Sequence, residues 1–286
     1  VLRATIIGSE PMSLSVYSVM VAVALIGYVL WRQLRKAWLQ QRRAHLYASP
    51  FNADWQAILE QHVALYSRLP AALRDKLHGH INYFLADKQL IGRNGQVITD
   101  EIKLIVAANA CLLVMHHNDA IFPGFKTVLI YPDTYVAKQV SFESGVKVSK
   151  NSVRAGESWH GGPIVLSWSD VMRGSLDGED GHNVVLHEFA HKLDEENLTT
   201  NGMPILRNRE QYASWVEVLN KEYEAFLSRV DRKKNKVIDE YGAVSPPEFF
   251  AVATESFFEK GPAMAARLPE LYKQLQDYYG VDPASW

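Results

Sequence analysis

The 286-residue chain is short of cysteine: Cys111 stands alone. One thiol excludes an intramolecular disulfide framework and any zinc or iron–sulfur site built on several cysteines. A bound metal must therefore rest on His, Asp or Glu. A charge excess is missing as well. The formal net charge is −2, so no global basic field exists and no direct nucleic-acid binding is expected. Internal repeats and low-complexity tracts are absent. With 48% hydrophobic and 22% charged residues, the composition is that of a folded protein with a sizeable core.

The charges that are present avoid one stretch. Leu14 to Trp31 (LSVYSVMVAVALIGYVLW) has no charged side chain over 18 residues, inside the roughly 17–25 that cross a bilayer as a helix. Tyr17, Tyr28 and Trp31 lie near its ends, where interfacial aromatics belong. Arg32, Arg35, Lys36, Arg42 and Arg43 follow, whereas Arg3 is the only cation before it. This asymmetry predicts a single-pass membrane anchor with the bulk of the chain in the cytoplasm. A cleaved signal peptide has its cations first, and a core helix keeps a polar face. The chain divides accordingly: a tail (1–13), an anchor (14–31), a basic juxtamembrane helix (32–49) and a folded domain (50–286). Met12, just before the apolar run, is an alternative start to Val1.

Beyond the anchor, periodicity and turn residues predict helices over Phe51–Leu65, Ala71–Leu85 and Asp100–His116, the last with Asp100 as N-cap. Asn94-Gly95 reads as a turn. Short strands are predicted at Val128–Tyr131, Thr134–Val136, Val146–Val148 and Pro163–Trp168. Helices follow at Asp180–Leu193, Arg207–Val230, Pro246–Glu259 and Glu270–Tyr279, with a charged turn over Asp231–Lys236. The pattern is α+β, mostly helical with a small sheet.

Chemistry concentrates at His187-Glu188-Phe189-Ala190-His191, an H-E-x-x-H motif. On a helix, His187 and His191 at i and i+4 project from one face and suit tetrahedral zinc. Glu188 then stands where it can take a proton from water on the metal as general base. Val184, Val185, Leu186, Phe189, Ala190 and Leu193 make the helix apolar, and burying two imidazoles and a carboxylate there is costly unless they are paired or bind a metal.

The third ligand is open at this level. A metzincin would need Gly at 194 and His at 197, but Asp194 and Asn197 stand there. A later Glu remains, from Glu210, Glu217, Glu222, Glu224, Glu240, Glu248, Glu255 and Glu259. Glu248 is notable for its apolar neighbours. It also fits position N3 of a capping box with Ser245 as N-cap and Pro246 at N1, so ligand and cap are equal alternatives. Asp194, three residues past His191, is either a second-shell acceptor for a ligand histidine or a solvated acid beside Glu195 and Glu196. Pro163–Trp168 is either a cleft-rim strand that pairs with extended substrate or a core strand. His116-His117, His78 and His80, Cys111 and the lysines at 233, 234 and 236 read as structural or surface groups, and His182 as a helix-start residue.

His187–His191 together with Tyr241-Gly242 and Glu248-Phe249-Phe250-Ala251 resembles the Mlc titration factor A family of zinc peptidases. That family in turn is similar to the protease domain of anthrax lethal factor, which has a Tyr seven residues before its glutamate ligand. Gly156-Glu157-Ser158-Trp159, Gly162 to Trp168 and Gly181-His182-Asn183 extend the resemblance over roughly residues 50–280, leaving the apolar run outside. It implies a zincin-like metallopeptidase domain over 50–286, Glu248 as third zinc ligand, one zinc ion per chain, and Tyr241 near the metal as an oxyanion donor. It implies a peptidase with an aminopeptidase-like lean and, as the alternative, an interaction protein that sequesters a transcriptional repressor of the Mlc type. Since the best-known members are soluble, a cytoplasmic location is the alternative to the membrane. Glu188 favours catalysis, because a purely structural zinc needs no general base.

Overall fold

A stretch without acidic residues or proline builds α1 (Leu14–Ala48), one uninterrupted helix of 35 residues. The computed structural model describes the backbone of residues 14–116, 121–133, 135–143, 146–154, 156–158, 162–231 and 237–286. The chain divides into two compact units, one ending at Ala48 and the other spanning Ser49–Trp286. In the first, the apolar run and the basic segment that follows it share one helix. At about 1.5 Å per residue it runs some 52 Å, well beyond a hydrocarbon core of about 30 Å. It is long and apolar enough to cross a membrane, and its large apolar side chains from Tyr17 to Trp38 are exposed.

The second unit is mostly helical around a small sheet. It opens with α2 (Ala53–His62), α3 (Ala64–Arg68) and α4 (Ala71–Asp87). The single helix predicted over Phe51–Leu65 is broken at Val63, whose extended backbone (φ −124°, ψ 94°) caps one helix and starts the next. Asn52 accepts from the Asp54 amide to begin α2. A short strand, β1 (Gln89–Gly92), then precedes the Asn94-Gly95 turn. Both turn residues have positive φ (49° and 83°), and the turn closes with Gln96 N donating to Arg93 O. Next comes α5 (Asp100–Leu112), whose cap is Thr99 and not Asp100: Thr99 Oγ1 accepts from Ile102 N. Every residue of α5 from Leu104 to Leu112 is buried.

The strands are β2 (Thr127–Tyr131), β3 (Tyr135–Glu143), β4 (Val146–Arg154), β5 (Gly156–Ser158) and β6 (Ile164–Ser167). The main sheet runs β1-β2-β6-β5, with β1, β2 and β6 parallel and β5 antiparallel at the edge. β3 and β4 form a separate antiparallel hairpin, far longer than the two three-residue strands expected there. Side chains in this hairpin and in β5, with Thr134, His117, Trp159 and the 232–236 part of the charged turn, lie outside the described residues. β6 has a partner on each side and all four residues buried. With no free edge, Ile164–Ser167 is a core strand, and main-chain pairing with a substrate there is excluded.

After β6 come α6 (Trp168–Leu176), α7 (Val184–Asp194), α8 (Arg209–Asp231), α9 (Pro246–Glu259), α10 (Gly261–Arg267) and α11 (Pro269–Tyr279). The H-E-x-x-H helix is α7. It begins four residues later than the periodicity suggests, because Gly181 sits at φ +75° and Asn183 is the true cap, its Oδ1 accepting from Val185 N and Leu186 N. α7 packs against α9, β5, β6, α5 and α6. α9 is buried along its length from Phe249 to Glu259. Phe249, Phe250, Phe257 and Phe258 are each fully buried, worth about 1.5–3 kcal/mol apiece. That apolar mass fixes the axis on which Glu248, Glu255 and Glu259 are carried.

Candidate metal centre

Helix geometry brings His187 and His191 together on α7. Their ring centroids are 4.8 Å apart and their Nε2 atoms 3.2 Å apart. α9 approaches with its first turn forward. Ser245 caps it, Oγ accepting from Glu248 N, and Pro246 and Pro247 fill positions that need no intrahelical donor. The Glu248 carboxylate does not complete the capping box. Its Oε2 lies 3.0 Å from His187 Nε2 and 3.3 Å from His191 Nε2. Among the described residues this is the one group of three His, Cys, Asp or Glu side chains able to hold a metal.

The spacing tests the fit. Ligand atoms about 2.0–2.1 Å from a tetrahedral zinc are about 3.3 Å from one another. The three edges here are 3.0, 3.2 and 3.3 Å. Two imidazole nitrogens at 3.2 Å are poor neighbours unless a proton or a cation lies between them. Two neutral imidazoles and one carboxylate are also the donor set that a borderline-soft divalent ion prefers.

Electrostatics point the same way. Burial would lower His187, but the Glu255 charge, hydrogen bonds donated to Glu248 and Glu255, and the Glu188 charge outweigh it and raise its pKa well above the usual histidine range. Burial would raise Glu248, but hydrogen bonds and charges from both histidines hold it well below the usual carboxylate range. Glu188, 6% exposed, is pushed up by burial, with the neighbouring histidines opposing and Glu248 and Glu255 reinforcing. The carboxylates around His187 thus favour positive charge at this centre, which a bound cation would supply.

Glu255 was only one of several ligand candidates in the sequence. In the fold it faces the other side of His187: Nδ1 lies 2.7 Å from Glu255 Oε1. With Nδ1–H donating there, Nε2 is the nitrogen that faces Glu248. The available signal was the seven-residue spacing from Glu248, two helical turns along the same face. Tyr241 lies in the 3-10 turn Glu240–Val244, which Asp239 caps. Its ring centroid is 6.0 Å from that of His187, and the residue is 53% exposed.

Asp194 is fully buried, which removes the solvated-acid reading. Its Oδ2 accepts from Gly202 N at 2.8 Å. Burial raises its pKa, against backbone hydrogen bonds from the 201–203 loop and the His191 charge. Gly202 in turn accepts from Trp215 Nε1 through its carbonyl. It sits at φ +76°, and a Cβ there would be 2.8 Å from Pro246 O. One glycine therefore spaces the end of α7 from the start of α9, the two ends that carry His191 and Glu248. His182 serves the helix start, its amide donating to Asp180 Oδ1. His78 and His80 are engaged within their own helical layer, with Tyr66 and with the Lys76 carbonyl.

A family model described as glucose-regulated metallo-peptidase M90 matches residues 35–280. The chain belongs to that family. The protein slr2042 of Synechocystis sp. is 39% identical over 265 residues, covering 92% of this chain and 96% of its own. The Mlc titration factors A of Cronobacter sakazakii and Serratia proteamaculans are 34% and 32% identical, over 80% and 81% of this chain and 86% and 88% of theirs. Coverage of 92% reaches into α1, whereas 80% leaves room for α1 outside the match. As an M90 member the chain is a metallopeptidase by family, and the His187–His191–Glu248 group is a fitting place for its ion.

Proposed function

We propose that this M90 chain is a zinc-dependent, aminopeptidase-like peptidase with a regulatory role, and that residues 50–286 form a zincin-like domain of gluzincin type. The observation that carries the reading is the convergence of His187 Nε2, His191 Nε2 and Glu248 Oε2 at tetrahedral spacing beside a buried Glu188. His187, His191 and Glu248 would hold a zinc ion, which when bound would lower the pKa of a water and act as a Lewis acid. Glu188 takes a proton from the attacking water and delivers it to the leaving amine. Tyr241, exposed beside His187, donates its hydroxyl to the oxygen charge that develops on the scissile carbonyl. Glu255 orients His187, and Asp194 holds the loop that spaces the two ligand helices.

Purified protein is expected to carry one zinc per chain and to hydrolyse members of a fluorogenic aminoacyl and peptide panel. Chelation should abolish that hydrolysis and added zinc should restore it. A panel untouched by the zinc-loaded protein would overturn the peptidase reading. It would favour the second one, suggested by the relatives named Mlc titration factor A: a protein that binds a repressor of the Mlc type, with the zinc site secondary. Glu188 argues for the first, since a binding platform needs no base.

The same reading places α1 in a bacterial inner membrane, with 14–31 spanning and 32–49 at the cytoplasmic surface. Its support is the acid-free sequence, five cations after the apolar run against one before it, and the exposure of its large apolar side chains. The full chain is expected in the membrane pellet after alkaline carbonate washing. Release into the supernatant would return the protein to the cytoplasm.

A further inference from the structure

One buried polar cluster lies behind the metal centre and no step of the hydrolysis uses it. It centres on Asn183, where α5, α6, α7 and α9 meet. Each polar atom of this residue is engaged. Its Oδ1 caps α7 at Val185 and Leu186. Its carbonyl accepts from His187 N. Its Nδ2 donates to Asn109 Oδ1 at 3.0 Å, to Glu259 Oε1 at 3.1 Å and to Gly174 O at 3.3 Å. Its own N–H donates to Glu255 Oε2 at 2.6 Å.

That last bond connects the cluster to chemistry. Glu255 accepts from Asn183 N with one oxygen and faces His187 Nδ1 with the other. The carboxylate is therefore oriented by the Asn183 backbone, and the imidazole by the carboxylate. What holds the Asn183 backbone is its side-chain amide. Asn109 is itself fixed by donating to Ile105 O and Ser175 Oγ. Gly174 lets the chain lie directly on α6: a Cβ there would be 2.6 Å from His182 O and 2.9 Å from Asn183 Cα. Asn109, Ser175, Asn183, Glu255 and Glu259 are all buried, so water does not compete for these bonds. A helix cap alone needs only the Oδ1 contacts. The three acceptors around Nδ2 are more than a cap requires.

We infer that Asn183 is a positioning residue for the metal centre: through Glu255 it fixes the His187 ring so that Nε2 faces Glu248. The inference rests on His187 acting as a ligand, as proposed above. Outer partners of ligand histidines contribute about 10–100-fold to metal affinity, which sets the scale.

Asn183→Ser separates the two roles, because serine keeps the capping oxygen and the backbone N–H but removes the amide donors. The variant is expected to fold, to bind zinc about tenfold or more weakly in a chelator competition, and to lose kcat with little change in KM. In the zinc-free protein, the His187 Nδ1 proton is expected as a downfield, exchange-protected NMR signal that the variant broadens. Zinc affinity within twofold of the parent, with that proton unchanged and only thermal stability lowered, would reduce Asn183 to a cap and overturn the inference. Should Asn183→Ser fail to fold, Asn109→Ala tests the same network without touching the cap. A tenfold loss of zinc affinity there supports the inference, and an unchanged affinity overturns it. A parent protein that binds no zinc refutes the ligand reading, whereas the Nδ1 proton still reports whether Asn183 orients the ring.

Discussion

Glu188→Gln is expected to keep the zinc and lower peptide hydrolysis by on the order of 10²–10⁴-fold, the usual contribution of a positioned general base. The side chains are isosteric, so the buried site keeps its volume. Glutamine cannot accept a proton, and that is the whole difference. Three observations make the effect large. Glu188 is buried and follows a ligand candidate directly in the helix. Burial lifts its carboxyl above the ordinary glutamate range despite the nearby imidazoles, which moves it toward the basicity a proton shuttle needs. The metal group itself, His187, His191 and Glu248, does not include it. Zinc content and kcat/KM measured on the same preparation check the outcome. Peptidase activity retained in the variant would refute the mechanism.

The second large effect is graded across α9. Glu248→Ala is expected to lower zinc stoichiometry in dilute protein, because it removes one of three converging donors and leaves two histidines 3.2 Å apart. Glu255→Gln is expected to keep the stoichiometry and weaken affinity by about 10–100-fold. Its amide can accept from the Asn183 N–H or from the His187 Nδ1–H, but not from both. Neither change removes the Ser245 cap, so the start of α9 persists in both proteins and circular dichroism should confirm it. Unchanged zinc content in the alanine variant would assign Glu248 a capping role only. Titration with a competing chelator ranks the three proteins.

Much of this was legible in the residues. The α9 boundaries follow from Ser245-Pro246 at one end and from apolar density between, and the structure gives Pro246–Glu259. The i, i+4 spacing placed both imidazoles on one face. Three things were hidden, each for a physical reason. β1 is only four residues long, too short to show alternation. The long hairpin strand Val146–Arg154 has Val only at 146, 148 and 153, so its pattern fades after three residues. The start of α7 was masked by Asp180, itself a good cap type, whereas the positive φ of Gly181 and the Asn183 cap place the start at Val184. Glu255 stayed one of eight because sequence gives a face and a spacing, while its partner depends on how α9 crosses α7.

The α7–α9 contact also sets an order of events. His187 and Glu248 are separated by 61 positions in the chain, and Asn183 and Glu259 by 76. Contacts this distant close late, because the loop entropy of the intervening segment must be overcome first. On a ribosome, α7 emerges with both histidines long before α9 exists. Until then only two donors are present, and a two-donor site holds zinc weakly. Unlike a zinc finger, whose fold is unfolded without its metal, this domain is expected to fold first and to take up an ion only once α7 and α9 have packed.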